Sequence, residues 1–134
     1  MDAVTLVRAY LDADIAIWYL RRLPEARLRL VALATSDAEL WMSAAQRMEI
    51  VFHMRPGEER LTFTLLDSMK CDPVTKEIVD RAALLHREWH PSHGTGKGDA
   101  ILAASAMLTG GTVITQNIKH FPMPGLRVER GWEQ

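Results

Sequence analysis

The chain has 134 residues, of which 48% are hydrophobic and 25% are charged. These proportions are typical of one soluble globular domain over residues 1–134, and they exclude a disordered or fibrous chain. The formal net charge of −1 excludes an overall field that would attract nucleic acid, so any such role would depend on a local patch.

The sequence carries no signal for secretion or for a membrane. Its single cysteine, Cys71, cannot form an intramolecular disulfide, and we predict a buried structural thiol there. The N-terminus lacks the basic and apolar regions of a signal peptide. Glycine and polar residues interrupt the longest uncharged run, residues 100–118. We therefore expect a cytoplasmic protein that does not enter a membrane.

The beginning of the chain predicts one strand and two helices. A run of β-branched and apolar residues indicates a strand over residues 4–11. Asp14 is expected to cap the short helix that follows, which ends at about Leu20. Pro24 suits the first turn of a second helix that ends at about Ala34.

The next part of the chain predicts a strand and two more helices. The strand covers residues 40–42, and Ser43 and Gln46 have the spacing of a capping box for a helix that ends at about Met54. A further helix is predicted over residues 58–68. Its inward-facing side chains are expected to be those of Leu61, Leu65, Leu66 and Met69.

The second half of the chain continues the alternation. Pro73 is predicted to begin a helix whose apolar residues recur every three or four positions. A polar, glycine-rich loop over residues 91–98 separates it from a helix over residues 99–108, which is so apolar that it must be buried. Three short strands complete the prediction: residues 70–72, 112–115 and, at a sheet edge, 126–128.

Strands that alternate with helices predict an α/β fold of three layers, in which helices cover both faces of a central, mostly parallel sheet of four or five strands. In such sheets, functional groups collect beyond the carboxyl ends of the strands. Asp12 and Asn117 follow predicted strands, and Asp99 opens the most apolar helix. Glu49 lies inside an apolar stretch of helix and reaches the same edge if its face turns inward.

Carboxylates that lie close together repel one another, and a hard divalent cation offsets that repulsion. The residue types therefore suit Mg²⁺ or Mn²⁺ and a phosphate substrate, with the metal activating a water for phosphodiester hydrolysis. Each residue also has an ordinary structural interpretation. These are a helix N-cap for Asp99, a turn after the strand for Asp12, a solvent-facing position for Glu49 and an Asx turn for Asn117.

Four stretches of the chain resemble, in order, the motifs of PIN-domain ribonucleases, in particular VapC-type toxins. They are residues 10–20, 42–49, 98–106 and 115–126, and together they span nearly the whole chain. The resemblance implies a PIN-like fold in which Asp12, Glu49 and Asp99 hold a Mg²⁺ or Mn²⁺ ion or its water, and in which Asn117 supports that site.

Three positions qualify this resemblance. Ala13 stands where the family usually has a hydroxyl residue, and Asn117 stands where many members have aspartate. An asparagine leaves the site with one negative charge fewer. Asp14 is interpreted first as a helix cap and second as an additional acidic ligand.

The implied function is a metal-dependent endoribonuclease that hydrolyses RNA phosphodiester bonds as the toxin of a VapBC-type toxin–antitoxin pair. The implied partners are the RNA substrate, a VapB-like antitoxin protein and a second copy of the chain in a homodimer. Trp18, Tyr19 and Phe52 are interpreted as core residues or as part of the dimer face. The alternative function is a PIN-like scaffold that binds RNA or a protein without cleaving.

Other interpretations have less support. A phosphate-signalling receiver domain would need Asp72 at the end of a central strand and a lysine after a later strand, where Gln116 and Asn117 stand. His90 and His93 lack a second pair of zinc ligands. His120 is interpreted as a surface residue in preference to an RNA contact.

A basic run follows the first motif. It is interpreted as a solvated helix surface, with contact to the RNA backbone or to an acidic partner as the alternative. The run comprises Arg21, Arg22, Arg27 and Arg29.

Overall fold

A computed structural model describes residues 7–133 of the chain. Its strands are β1 (Arg8–Leu11), β2 (Glu39–Ser43), β3 (Lys70–Asp72), β4 (Thr112–Thr115) and β5 (Arg127–Arg130). They form one sheet in the order β3-β2-β1-β4-β5, and every neighbouring pair is parallel. The predicted α/β fold with a largely parallel sheet is confirmed, and the last strand lies at an edge as expected.

Six α-helices connect these strands within the described residues. They are α1 (Ala13–Leu20), α2 (Pro24–Ala34), α3 (Ala44–Phe52), α4 (Glu59–Asp67), α5 (Lys76–His93) and α6 (Lys97–Thr109). A short 3-10 helix covers Ile118–His120. None of the helices in this part of the chain has the length and apolar character that crossing a membrane would require.

Alternate residues of the central strands bury opposite faces of the sheet, as a strand's period of two requires. Leu11 and Ile114 pack with residues of α1, α2, α3 and α4. Tyr10 and Val113 pack instead with α6. The helices therefore form a layer on each side, and β1 and β4 lie at the centre of the molecule.

Helix α6 is largely buried because it lies between the sheet and α5. One side packs on the sheet through residues such as Leu102, and the other packs on Ile78 and Ala82 of α5. This confirms the expectation drawn from its apolar composition. Gly110 ends the helix with a positive φ of 67°, a conformation that glycine adopts without steric cost.

The boundary between α5 and α6 differs from the prediction. The expected loop over residues 91–98 is helical as far as His93, with Pro91 inside α5, and Gly94 ends the helix at φ 70°. Pro91 removes only one backbone hydrogen bond in the last turn. The packing of Leu85 and Trp89 against the core around α6 holds this end of the helix in place.

Several other boundaries and orientations differ. The first strand begins at Arg8, and residues 4–6 of its prediction lie outside the described residues. Helix α5 begins after Thr75, whose hydroxyl accepts the Ile78 N–H, and not at Pro73. On α4, Leu61 is exposed and Thr62 faces the interior. The predicted burial of Cys71 is also wrong, because its strand forms the other edge of the sheet.

Candidate active site

Asp12 lies directly after the central strand β1, where the chain enters α1. One carboxylate oxygen accepts the Ala13 N–H at 2.8 Å, so Asp12 itself caps the helix. The other accepts the Thr115 hydroxyl at 2.8 Å, from the end of the neighbouring strand β4. Both oxygens are therefore held in one direction, and the residue is buried, with only 5% of its surface exposed.

Asp14 is anchored to the same strand end. Its Oδ2 accepts the Gln116 N–H at 2.9 Å, and its Oδ1 accepts the Ile15 N–H at 2.8 Å. The prediction that Asp14 caps α1 is wrong, because Asp12 occupies the cap position. The second interpretation of Asp14, as an additional acid at the site, agrees with its position.

Asp99 is the third residue of α6, and Gly96 occupies the cap position. Its Oδ2 accepts the Gly96 N–H at 2.8 Å and lies 3.2 Å from Nδ1 of His120. A Cβ at Gly96 would come within 3.2 Å of that same oxygen. Asp99 thus supports the helix start from inside the helix, and it is not the N-cap.

The three aspartates influence one another electrostatically. Burial raises the pKa of the Asp12 carboxyl to about 8, and the nearby charges of Asp14 and Asp99 also raise it. Burial is likewise the main reason why the pKa of Asp14 is raised, with the charge of Asp99 as a further cause. The structure therefore brings two predicted site residues, Asp12 and Asp99, together with Asp14 in a crowded acidic cluster.

Asn117 follows β4 and borders this cluster. Its N–H donates to the Thr115 hydroxyl at 2.9 Å, while its side chain makes no hydrogen bond within residues 7–133. Together with Asp14 it lines an open cleft of about 270 Å³. The Asn117 side chain is therefore available to a ligand beside the acids.

Glu49 lies on α3 with an exposed side chain. That side chain forms no ion pair or hydrogen bond with any of the described residues. One turn earlier on the same helical face, Gln46 donates to the Gly98 carbonyl at 3.0 Å. The Gln46 contact thus joins this part of α3 to the start of α6, while the Glu49 side chain itself makes no contact with Asp99 within residues 7–133. The role of Glu49 stays a prediction.

Gln46 also corrects a prediction about α3. Ser43 caps that helix by accepting the Ala45 N–H at 3.1 Å, but Gln46 does not complete a capping box. Its amide instead ties α3 to α6, and its carbonyl oxygen is buried without a partner in the described residues. A capping interaction that looks local in the sequence is in fact a long-range contact.

Two residues outside the predicted set support the cluster. Thr115 is fully buried, and its hydroxyl donates to Asp12 while it accepts the Asn117 N–H. The sequence signal for Thr115 was its place at the start of the fourth motif, two residues before Asn117. The His120 side chain is 37% exposed, which agrees with its interpretation as a surface residue, and it also lies 3.2 Å from Asp99, a contact that the sequence analysis missed. The Thr95 hydroxyl donates to the His120 carbonyl at 2.9 Å and so fixes the backbone at the end of the short 3-10 helix.

The competing interpretations fail on geometry. Asp72 lies on the edge strand β3 and is bound by Arg8 and by the Tyr10 hydroxyl, so it cannot serve as the central acceptor of a receiver domain. Within residues 7–133, no three His, Cys, Asp or Glu side chains are arranged as a ready ion site. This holds for the three aspartates of the cluster as well, while the His90 and His93 rings bond to the Thr95 carbonyl and the Ser92 hydroxyl.

The basic run is partly committed to structural contacts. One guanidinium nitrogen of Arg21, Nη1, donates to both carboxylate oxygens of Glu58, at 2.9 and 3.0 Å. Arg29 pairs with Glu129 at 2.8 Å. Their positive charges are therefore offset, and only the exposed members Arg22 and Arg27 agree with a solvated surface.

The aromatic residues near the first motif are not part of the core. Trp18 is 48% exposed, and Phe52 on α3 is 81% exposed. Tyr19 is half-buried and packs against the core beside α1. The two exposed rings therefore remain free for contacts outside the chain.

The structure thus defines an α/β domain in which acidic side chains collect at the carboxyl edge of a parallel sheet. The PIN domain family matches residues 9–122, so the chain belongs to the PIN-domain family. Over 113 residues it is 36% identical to Ribonuclease VapC10 of Mycobacterium tuberculosis, covering 84% of each protein. Over 114 residues it is 29% identical to Ribonuclease VapC19 of the same species, covering 84% of this chain and 91% of that protein.

Solved structures agree with this assignment. A toxin–antitoxin complex from Klebsiella pneumoniae is similar with a TM-score of 0.77 and 26% identity, covering 94% of this chain and 99% of that one. VapBC2 from Rickettsia felis, bound to a DNA fragment from its promoter, is similar with a TM-score of 0.74 and 18% identity, covering 95% and 100%. The second likeness shows the fold alone. The expected PIN-like fold is thereby confirmed.

Proposed function

We propose that this chain is a metal-dependent endoribonuclease and the toxin of a VapBC-type toxin–antitoxin pair. The observation that carries the proposal is the cluster of Asp12, Asp14 and Asp99 at the carboxyl edge of the sheet. Similarity to proteins named as VapC ribonucleases supports it and selects RNA among phosphate substrates. The chain is expected to act in the cytoplasm.

The chemistry of the cluster suits a hard divalent cation. Asp12 is buried and crowded by two further carboxylates, and the only basic side chain in direct contact with these acids, within residues 7–133, is the His120 ring at Asp99. Mg²⁺ binds proteins through one or two carboxylates and keeps several waters, so it does not require three protein ligands in place. Asp12, Asp99 and Glu49 are proposed to hold Mg²⁺ or Mn²⁺ or its water.

The chain's own groups would prepare this site in defined ways. When bound, the metal would lower the pKa of a water and offset charge on the phosphate. Thr115 and the Ala13 N–H hold the Asp12 carboxylate in one orientation. The Gly96 N–H and the His120 ring hold Asp99 in the same way. Asn117 is proposed to support the site from its unbonded side chain.

We expect the purified protein to cut single-stranded RNA when Mg²⁺ or Mn²⁺ is present and to stop when a chelator is added. The physical reason is that the clustered carboxylates supply ligands but no positive charge for the phosphate. Gel analysis of end-labelled RNA measures the cleavage. Activity that persists in chelator would rule out the metal mechanism.

The alternative function is a scaffold that binds RNA or a protein without cleavage. It is favoured by Ala13, which lacks the hydroxyl usual at that position, and by Asn117, which replaces a possible fourth charge. Intact, metal-binding protein that leaves RNA uncut would decide for the scaffold.

A substitution at Asp99 separates metal binding from helix capping. We expect Asp99→Asn to raise the melting temperature of the metal-free protein by roughly 3–5 °C, because relief of one charge contact, judged from shifts near one pKa unit, contributes about 1 kcal/mol. An amide oxygen can still accept the Gly96 N–H. Saturating Mg²⁺ should shrink or reverse the difference, since the wild type gains more binding free energy.

Melting curves of both proteins, with Mg²⁺ and with chelator, measure this effect. Equal shifts under the two conditions would mean that Asp99 takes no part in metal binding. Isothermal titration of each protein with Mn²⁺ provides a second readout that does not depend on cleavage.

The proposed partners follow from the same family relationship. We propose that a VapB-like antitoxin protein binds and inhibits this chain, and that the chain forms a homodimer. Co-expression with the small protein encoded next to it, followed by copurification, tests the first. Sedimentation of the purified chain tests the second.

A further inference from the structure

The Trp18 side chain lines two clefts, and one of them also contains Asp14 of the carboxylate cluster. The first cleft, of about 270 Å³, is lined by Asp14, Trp18, Leu23, Gln116, Asn117 and Trp132. The second, of about 360 Å³, is lined by Ile17, Trp18, Arg21, His53 and Arg55. We call them the acidic cleft and the basic cleft. A ligand that crosses Trp18 would contact both.

The acidic cleft presents aromatic surface next to the acids. Trp18 follows Asp14 by four residues on α1, so both side chains lie on one face of that helix. Two bonds to the Gln116 side chain hold the Trp132 backbone in position. The Gln116 amide oxygen accepts the backbone N–H of Trp132 at 3.0 Å, and the Gln116 amide nitrogen donates to the Trp132 carbonyl at 3.2 Å. A Cβ at Gly131 would come within 2.5 Å of the Ile15 Cδ1 atom and 2.9 Å of the Gln116 Oε1 atom, so any larger residue would require these side chains to shift.

The basic cleft contains one arginine that is free to bind a ligand. Arg21 is occupied by Glu58 and also donates to the His53 carbonyl at 3.1 Å. The Arg55 backbone donates to Glu58, but its exposed guanidinium forms no ion pair within residues 7–133. A phosphate in this cleft would therefore meet a guanidinium that no ion pair within residues 7–133 holds in place, with the Glu58 carboxylate as its acidic neighbour.

We propose that the two clefts bind adjacent nucleotides of the RNA substrate, with a base stacked on Trp18 in the acidic cleft and a neighbouring phosphate paired with Arg55. This inference rests on the proposed ribonuclease function. Single-stranded RNA is recognised by bases stacked on aromatic side chains and by cations that follow its backbone. Here the two kinds of contact lie side by side.

The position of the acidic cleft favours RNA over a protein segment as its occupant. Asp14 lines the cleft and also belongs to the acidic cluster, so a base stacked there lies next to the group that is cut. A single antitoxin side chain bound in the acidic cleft would not require the adjoining basic cleft. The experiment below distinguishes RNA from a protein partner at Trp18.

The experiment compares Trp18→Leu, Trp18→Tyr and Arg55→Ala. The controls are Phe63→Leu, an exposed aromatic residue outside both clefts, and Arg81→Ala, an exposed arginine of α5. Fluorescence anisotropy measures the dissociation constant of a labelled single-stranded RNA on protein that also carries Asp99→Asn, which is expected to leave the RNA intact. KM and kcat are measured on the otherwise wild-type protein.

The expected results follow from the contact that each variant removes. Trp18→Leu should weaken binding roughly 5- to 150-fold, since stacking contributes about 1–3 kcal/mol per base, whereas Trp18→Tyr keeps a ring and should restore most of the affinity. Arg55→Ala should lower the slope of affinity against salt by about one unit. Both changes should raise KM more than they lower kcat, and neither control should alter binding.

An RNA with one abasic nucleotide provides the sharpest comparison. If a base stacks on Trp18, removal of that base and Trp18→Leu should be far from additive at one position along the RNA. Wild-type affinity in Trp18→Leu, or additive losses at every position, would overturn the inference. So would a variant that binds RNA normally but loses a copurifying protein partner. Wild-type protein that neither binds nor cuts RNA would overturn the proposed function itself.

Discussion

Asp12→Asn is expected to abolish RNA cleavage and to raise the melting temperature of the metal-free protein. Burial is the main reason why the pKa of Asp12 is raised to about 8, so the native state must either hold a proton there or bear a buried charge. Asparagine is neutral and avoids this cost. After allowance for the hydrogen bond from Thr115, we expect a gain of about 2 kcal/mol, or roughly 6–10 °C.

The gain should depend on pH in one direction. Between about pH 4 and pH 8, native wild-type protein holds a proton on Asp12 that the unfolded chain has released, so its stability falls as the pH rises. The difference between Asp12→Asn and wild type should therefore widen from about pH 5 to about pH 8 and then level off.

Melting curves in chelator at several pH values measure this difference, and gel assays with Mg²⁺ measure the loss of cleavage. Asp80→Asn, a change at an exposed position of α5, is the matched control and should leave the pH dependence unchanged. A constant difference between Asp12→Asn and wild type at all pH values would contradict the explanation. Retained cleavage would remove Asp12 from the site.

The layered fold could be predicted because its signals are local. The apolar run through Leu11 and the run through Ile114 are each too short for a helix, and they lie between longer helical patterns. The uniform apolar character of α6 likewise indicated burial on both sides. These signals do not depend on contacts between distant residues, so they survive in the sequence alone.

The errors arose where a distant contact decides the structure. Residues 91–93 carry a proline and polar residues, yet packing of α5 on α6 keeps them helical. Cysteine is a residue type that is often buried, which favoured burial of Cys71. Its exposure depends on the position of β3 at the edge of the sheet, and the sequence does not reveal the strand order. Tertiary context overrode local preference at both places.

The candidate site shows the same division. Asp12 and Asn117 could be located because both follow strands of a parallel sheet. For Asp14 the sequence favoured capping, because a residue at the start of a helix suits the role of a cap as well as that of an additional acid. Its bond to the Gln116 N–H joins residues 102 positions apart. The contact between His120 and Asp99 is also non-local, and no periodicity in the sequence predicts it.

Glu49→Gln is expected to abolish cleavage with almost no effect on stability. Glu49 is exposed and makes no hydrogen bond or ion pair within residues 7–133, so the loss of its charge should change the free energy of unfolding by no more than about 0.5 kcal/mol. Gln46, on the same face of α3, already contacts the carbonyl next to Asp99. An exposed carboxylate one turn further along is free to reach a cation held by Asp12 and Asp99.

Loss of cleavage together with unchanged stability would distinguish a functional role of Glu49 from a structural one. Glu88→Gln is the matched control, because Glu88 is also an exposed glutamate inside a helix, with no ion pair among residues 7–133. Cleavage rate, melting temperature and Mn²⁺ affinity are measured for both variants and for the wild type. Full activity in Glu49→Gln would exclude Glu49 from the site and leave Asp12, Asp14 and Asp99 as its only acids. Loss of activity with unchanged melting temperature and weaker Mn²⁺ binding would assign Glu49 to the metal, because a merely solvated carboxylate affects none of these quantities.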